Sequence, residues 1–283
     1  MEATAHRTVY DGCTVARGQG ATLRRFHAER PEELDALLAA APAGAPRLVC
    51  VDGVNSMTGN VPDLPTLAVV CRDRGATLYV DDAHGFGVIG ERSPVEPCPY
   101  GMRGNAVVRH TGETYDGIVL AAGFSKAYSS LLAFLALPTD LKNRLKTAAA
   151  PYLYSGPSPT ASLATAMAGL DVNARRGDAL RADLYRLTAR VLDHLDALGV
   201  RTLNTDRLPI VEIPLADPSD LEQVARFLWQ EGIYVTVAAY PLVPRDRVGF
   251  RVQLTALHTD EDIDRLNDVL TRLSARFPLR PKD

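Results

Sequence analysis

Val80-Asp-Asp-Ala-His-Gly-Phe-Gly-Val-Ile-Gly-Glu91 is the stretch on which the reading of this chain turns. It begins inside a β-branched apolar run, Thr77 to Asp82, and passes at once into acidic residues, a histidine and glycines. Two runs of the same kind flank it, Arg47 to Val54 and Gly117 to Ala122. Between the first two lies Leu64 to Arg74, with helical periodicity and closed by Gly75, the residue type that helix C-termini favour. Strand, helix, strand with near-continuous apolar strands predicts a parallel sheet buried on both faces. Such sheets take ligands beyond the carboxyl ends of their strands. The acidic end of the second run falls there, and so does Gly123-Phe-Ser-Lys-Ala127 after the third. A carboxylate at one strand end and a lysine at the next suit pyridoxal 5'-phosphate (PLP) chemistry. Read from the residues alone, Asp81 is equally a helix N-cap or a magnesium ligand, and Lys126 a surface lysine.

Working outward, Glu91 to Thr114 is rich in Pro, Gly and Arg and reads as a long surface excursion. A Leu/Ala stretch follows Lys126, then a helix near Asp140 to Ala148 and a stiff connector, Tyr152 to Pro159. Thr160 to Leu198 is helical and long, with Asn173 to Gly177 as a candidate bend. The remainder alternates strand (Ile210 to Leu215), helix (Leu221 to Glu231), strand (Tyr234 to Ala238), strand (Phe250 to Leu254) and helix (Asp260 to Arg276). The expected organisation is a large domain over 1–157, a linking helix over 158–200 and a small α+β domain over 201–283.

With 46% hydrophobic and 23% charged side chains the chain can bury a sizeable core, and a net charge of −3 points away from nucleic acid. Cys13, Cys50, Cys71 and Cys98 have no metal-site spacing and read as reduced, packed thiols, with no metal expected. No signal peptide and no membrane-length apolar run is evident, so a soluble cytoplasmic protein is expected.

Six segments together resemble the α-oxoamine synthase family of fold-type I PLP enzymes. Val80 to Gly90 and Ser125-Lys-Ala127 resemble its V-D-[DE]-A-H-x-x-G-x-x-G and S-K-A motifs. His6 to Gly12 resembles H-A-S-x-x-D-G, and Asp52 to Gly59 resembles E-G-V-x-S-M-D-G. Tyr240-Pro-Leu-Val-Pro244 and Phe250 to His258 resemble YP-x-VP and LR-[IV]-x-x-[ST]-A-x-H. The resemblance implies an α/β fold, with a mostly parallel large domain and a small C-terminal α+β domain. It implies PLP as cofactor and an amino acid and an acyl thioester as substrates, the thioester on coenzyme A or an acyl carrier protein. It also implies a Claisen-type condensation, while the insert Glu91 to Thr114 and the altered loop after Lys126 point to a specialised biosynthetic pathway.

Residue by residue, it implies that Lys126 is the Schiff-base lysine and that Asp81 partners the pyridine nitrogen. His84 and Ser56 would lie at the phenolic oxygen, His6 on the ring face, and Ser125 beside the cofactor. Arg251 would bind the amino-acid carboxylate. His6, His84 and Lys126 form the expected catalytic set. Other readings are another fold-type I activity, an aminotransferase or aldolase-like lyase, and a non-catalytic partner subunit of a split synthase.

Three departures shape the expectation. The chain begins almost at His6, so the large domain is expected to be incomplete, with a second polypeptide supplying the family's N-terminal segment. A homodimer or such a hetero-oligomer is therefore expected. Gly123 and Gly156 stand where family threonines contact phosphate. Ser129-Ser-Leu-Leu-Ala133 replaces a glycine-rich loop, which would reshape the acyl-donor side.

Overall fold

A computed structural model describes residues 1–281. The chain divides into two compact units. Met1–Asn55 and Val61–Asp178 form the first, and Ser56–Asn60 with the chain from Ala179 onward forms the second.

In the first unit, α1 (Arg7–Gly18) and α2 (Pro31–Ala39) precede β1 (Leu48–Asp52). Helix α3 (Leu64–Asp73) starts where Asp63 caps the Thr66 N–H at 3.2 Å. It buries Leu64, Leu67, Ala68 and Cys71 and ends before Gly75, whose φ of +61° suits a residue without a Cβ. Next come β2 (Thr77–Asp81), α4 (Val107–His110), β3 (Ile118–Gly123) and β4 (Ala133–Ala136). The strand order is β1-β2-β3-β4, with the first three parallel and β4 antiparallel to β3. The expected mostly parallel sheet is therefore present. The register pairs Asp52 with Asp81 and Asp81 with Ala121, so three strands end at one level.

The Leu/Ala stretch after Lys126 forms the edge strand β4. One connection is corrected. Glu91 to Thr114 is no surface excursion, because Tyr100 is 1% exposed and Ala106, Val107 and Val108 are buried. The segment folds back on itself, with Gly90 N–H donating to Tyr100 O at 2.9 Å and Met102 N–H to Glu91 O at 2.9 Å. A Cβ on Gly90 would lie 2.0 Å from Met102 O, so only glycine allows this approach. Non-periodic sequence hides such a self-packed loop.

Beyond β4, α5 (Thr139–Ala148) and α6 (Ala150–Leu153) bury no residue. Helix α7 (Thr160–Ala197) is continuous, without a break at Asn173 to Gly177. The division between the units falls inside it rather than at its ends. Leu131, Leu135, Tyr152, Tyr154, Met167 and Leu170 are exposed in this part of the first unit.

In the second unit, β5 (Ile210–Pro214), α8 (Leu221–Gln230), β6 (Thr236–Ala238), β7 (Gly249–Gln253) and α9 (Asp260–Arg276) follow. The antiparallel sheet runs β5-β7-β6. The helices bury Val224, Leu228, Ile263, Leu266, Val269, Leu270 and Leu273. A capping box starts α9, with Thr259 N–H donating to Asp262 at 2.8 Å and Asp262 N–H to Thr259 Oγ1 at 3.2 Å. The chain's single tryptophan, Trp229, is exposed on α8 with its ring edge-on to Tyr234 at 6.3 Å. Among the described residues, no helix is long and apolar enough to cross a membrane.

Candidate active site

The first unit gathers five of the expected site residues at the carboxyl ends of its parallel strands. Asp81 is the last residue of β2, and its Oδ1 accepts from the Ala83 N–H at 3.2 Å. His84 follows on the same turn, half-buried. Lys126 and Ser125 are exposed on the turn joining β3 to β4. Phe124 N–H donates to Leu132 O at 2.8 Å and Ser130 N–H to Phe124 O at 3.0 Å, closing that turn. His6 is exposed and caps α1, its ring Nδ1 accepting from the Thr8 N–H at 3.3 Å.

Side-chain packing joins the two loops. Phe86 meets Phe124, Tyr128 and Phe134 with ring centroids 5.2, 4.9 and 5.1 Å away. Gly87, at φ +87°, has no Cβ to strike the Ala127 Cβ 2.6 Å away. The motif Gly85-Phe-Gly87 thus seats the turn after Asp81 against the turn bearing Lys126. Ser129 takes φ +50°, a left-handed conformation that glycine accommodates at lower cost, and Ser130 is buried with its Oγ donating to Ser162 O at 2.6 Å. The loop that departs from the family's glycines is thereby tied to α7.

Two carboxylates were not singled out from the sequence. Asp52 ends β1 beside Asp81 and accepts the His6 N–H on both oxygens at 3.1 Å. Burial pushes its carboxyl up to about 7; the His6 N–H pulls it down, the Asp81 charge raises it, and Lys126 lowers it. His6, Asp81 and Lys126 therefore all act on one carboxyl group. Asp82 is fully buried, accepts the Val107 N–H at 2.7 Å, and is pushed by burial up to about 8. Gly53 and Gly85 leave room for it, since a Cβ at either would lie 2.5 or 2.2 Å from its Oδ1. The signal for both acids is register and burial, which spacing does not display.

A pH prediction follows for the chain without cofactor. Asp52 is protonated in the fold at a pH where the unfolded chain, near 3.8, has lost that proton. Its contribution is then fully present below about pH 4 and is lost as pH rises to about 7. Asp52→Asn keeps an acceptor for His6 and is expected to flatten the fall in melting temperature across that window. An unchanged pH profile in the variant would contradict the raised carboxyl.

The other two expected residues lie in the second unit. Ser56 is buried, and its carbonyl accepts from Arg251 Nη1 at 2.5 Å. Asn60 Oδ1 accepts from the Thr205 N–H at 3.0 Å, and Gly59, at φ +72°, lies against Asn204 and Ile210. These contacts explain why Ser56–Asn60 belongs with β7 rather than with β1. Burial lowers the Arg251 pKa, while the Glu212 charge raises it.

The donor set fits PLP. A carboxylate ends β2, a primary amine stands on the turn after the adjacent β3, and a histidine and a serine hydroxyl lie on the same two turns. The Ser125 Oγ is 3.4 Å from where a Cβ on Gly123 would lie, so a hydroxyl is available where the threonine is absent.

Comparison with known proteins agrees. The family described as aminotransferase class I and II matches residues 11–270. The 8-amino-7-oxononanoate synthase of Chromohalobacter salexigens is 36% identical over 92% of this chain and 64% of its own length. That of Methylobacillus flagellatus is 34% identical over 95% and 63%. Serine palmitoyltransferase from Sphingomonas wittichii superposes with a TM-score of 0.86 at 26% identity, covering 97% of this chain and 65% of its own. A high-resolution SPT structure with PLP gives 0.83 at 26% identity, covering 97% and 66%. The chain thus spans slightly less than two thirds of the length of these relatives. By sequence, by fold and by the order of its motifs, it belongs to the aminotransferase class I and II family, in the α-oxoamine synthase branch.

Proposed function

We propose that this chain carries the central machinery of a PLP-dependent α-oxoamine synthase, joining the α-carbon of an amino acid to the acyl group of a thioester. The bond formed is carbon–carbon, and the thiol of coenzyme A or of a carrier protein leaves. The observation that carries this reading is Asp81 at the carboxyl end of β2 and Lys126 on the turn that follows the adjacent parallel strand β3.

When bound, PLP supplies a ring that delocalises the electron pair left at the substrate α-carbon. Lys126 holds the cofactor and moves the proton at that carbon. Asp81 keeps a proton on the ring nitrogen. His84 and Ser56 donate to the phenolic oxygen, His6 covers the ring face, and Ser125 donates to the phosphate. Arg251 binds the amino-acid carboxylate through its planar fork.

The exposed apolar side chains between Leu131 and Leu170 support assembly, as a homodimer or a hetero-oligomer. The cytoplasm is the proposed location, and the large domain, long helix and small domain the proposed organisation.

Borohydride reduction of the PLP-treated protein, followed by peptide mapping, tests the reading. Stable modification of the Lys126 peptide is expected. Modification confined to other lysines would overturn it.

A further inference from the structure

Glu212 and Arg251 face each other across the second unit's sheet. Strands β5 and β7 are antiparallel with these two residues in register, which sets their side chains on one face. Glu212 is 1% exposed, the least accessible acid of that unit. Arg247 grips its Oε2 through both Nε and Nη2, the former at 3.2 Å. The other oxygen, Oε1, is buried and has no hydrogen-bond partner. Arg251 mirrors this state. Its Nη1 donates to Ser56 O and approaches the Met57 sulfur at 3.8 Å, while its Nε is buried without a partner.

An unmet acceptor and an unmet donor on paired residues are rare in a folded interior, because each forfeits its hydration without a replacement. One rotation of the Arg251 side chain would satisfy both. The guanidinium has five N–H groups in a rigid fork, so giving Nε to one carboxylate turns the Nη pair toward whatever lies beyond. The trio Arg247, Glu212 and Arg251 carries one net positive charge, which a single further carboxylate neutralises.

We propose that Glu212 is the positioning residue for Arg251, its Oε1 taking the Arg251 Nε–H when the guanidinium turns its Nη groups to a bound carboxylate. The inference rests on the reading of Arg251 as the site for the amino-acid carboxylate. Arg247 then serves to hold the Glu212 carboxylate in place. Glu212 touches no substrate and acts only through Arg251.

The test is nuclear magnetic resonance of the arginine side-chain N–H groups in the ¹⁵N-labelled, PLP-loaded protein during titration with glycine. Arg251→Lys assigns the signals. In the wild type the Arg251 Nε–H is expected to move downfield and to exchange more slowly with water as glycine binds. In Glu212→Gln that shift is lost, and half-saturation by glycine rises about tenfold, as for the loss of one charge-assisted hydrogen bond. Should Glu212→Gln fail to fold, the double variant Glu212→Gln with Arg247→Met removes the buried pair together and is expected to show the same loss. Glycine binding that moves the Nη signals but leaves Nε–H in place, with wild-type affinity in the variants, overturns the inference alone. Glycine binding that moves no Arg251 signal and survives Arg251→Lys overturns the carboxylate reading and this inference with it.

Discussion

Lys126→Ala is expected to erase the visible absorption band of lysine-bound PLP and to lower turnover at least about a thousandfold, within the range that a positioned proton-transfer group contributes. The size of the effect follows from the two tasks assigned to one amine, since the substitution removes the attachment point and the proton carrier together. The fold should survive the change. Lys126 is exposed, and its turn is closed by backbone bonds at Phe124, Leu132 and Ser130 and anchored by the buried Tyr128 ring. Melting temperature should therefore stay near that of the wild type while colour and activity disappear. A small primary amine added to the variant is expected to restore part of the turnover, because the missing group is chemically simple and its place is open to solvent. A variant that keeps the band would move the attachment point to another lysine, and a non-catalytic subunit would tolerate the change without loss.

Gly87→Val is expected to destabilise the first unit by about 2–6 kcal/mol through two separate costs. A β-branched residue at φ +87° is strained by roughly 1–3 kcal/mol. Its Cβ would also lie 2.6 Å from the Ala127 Cβ and 2.9 Å from the Tyr128 ring, and such overpacking costs about another 1–3 kcal/mol. For a chain of this length that corresponds to a fall in melting temperature of roughly 5–15 °C. The displaced neighbours flank Lys126, so the yield of borohydride-trapped PLP should fall in parallel. Unchanged melting and unchanged trapping would mean that the Asp81 and Lys126 turns are not held by this contact.

The sequence made part of this legible for identifiable reasons. Strands β1, β2 and β3 announce themselves because both faces are apolar, and α9 because Thr259 and Asp262 spell out its cap. Helices α1 and α2 escaped notice because one buries only Val9 and the other only Leu34 and Leu38, too few to set a period. The core formed by Tyr100 and Ala106 to Val108 was hidden by a glycine- and proline-rich composition that usually marks surface loops. In the site, Asp81, His84 and Lys126 are visible as a motif. Asp52, Asp82 and Glu212 act through burial and through neighbours on other strands, and no local spacing encodes those. The proximity of Ser56 and Arg251, 195 residues apart, is of the same kind.

Trp229 gives the molecule a built-in optical label. Because it is the only indole and sits on α8, tryptophan emission reports the second unit and is silent about the first. The packed rings of Phe86, Phe124, Tyr128 and Phe134 around the Lys126 turn contribute to near-ultraviolet circular dichroism, alongside the Trp229 and Tyr234 rings of the second unit. Tryptophan emission and ring circular dichroism followed in one melting run therefore tell whether a substitution loosens the second unit, or leaves it intact while the first gives way.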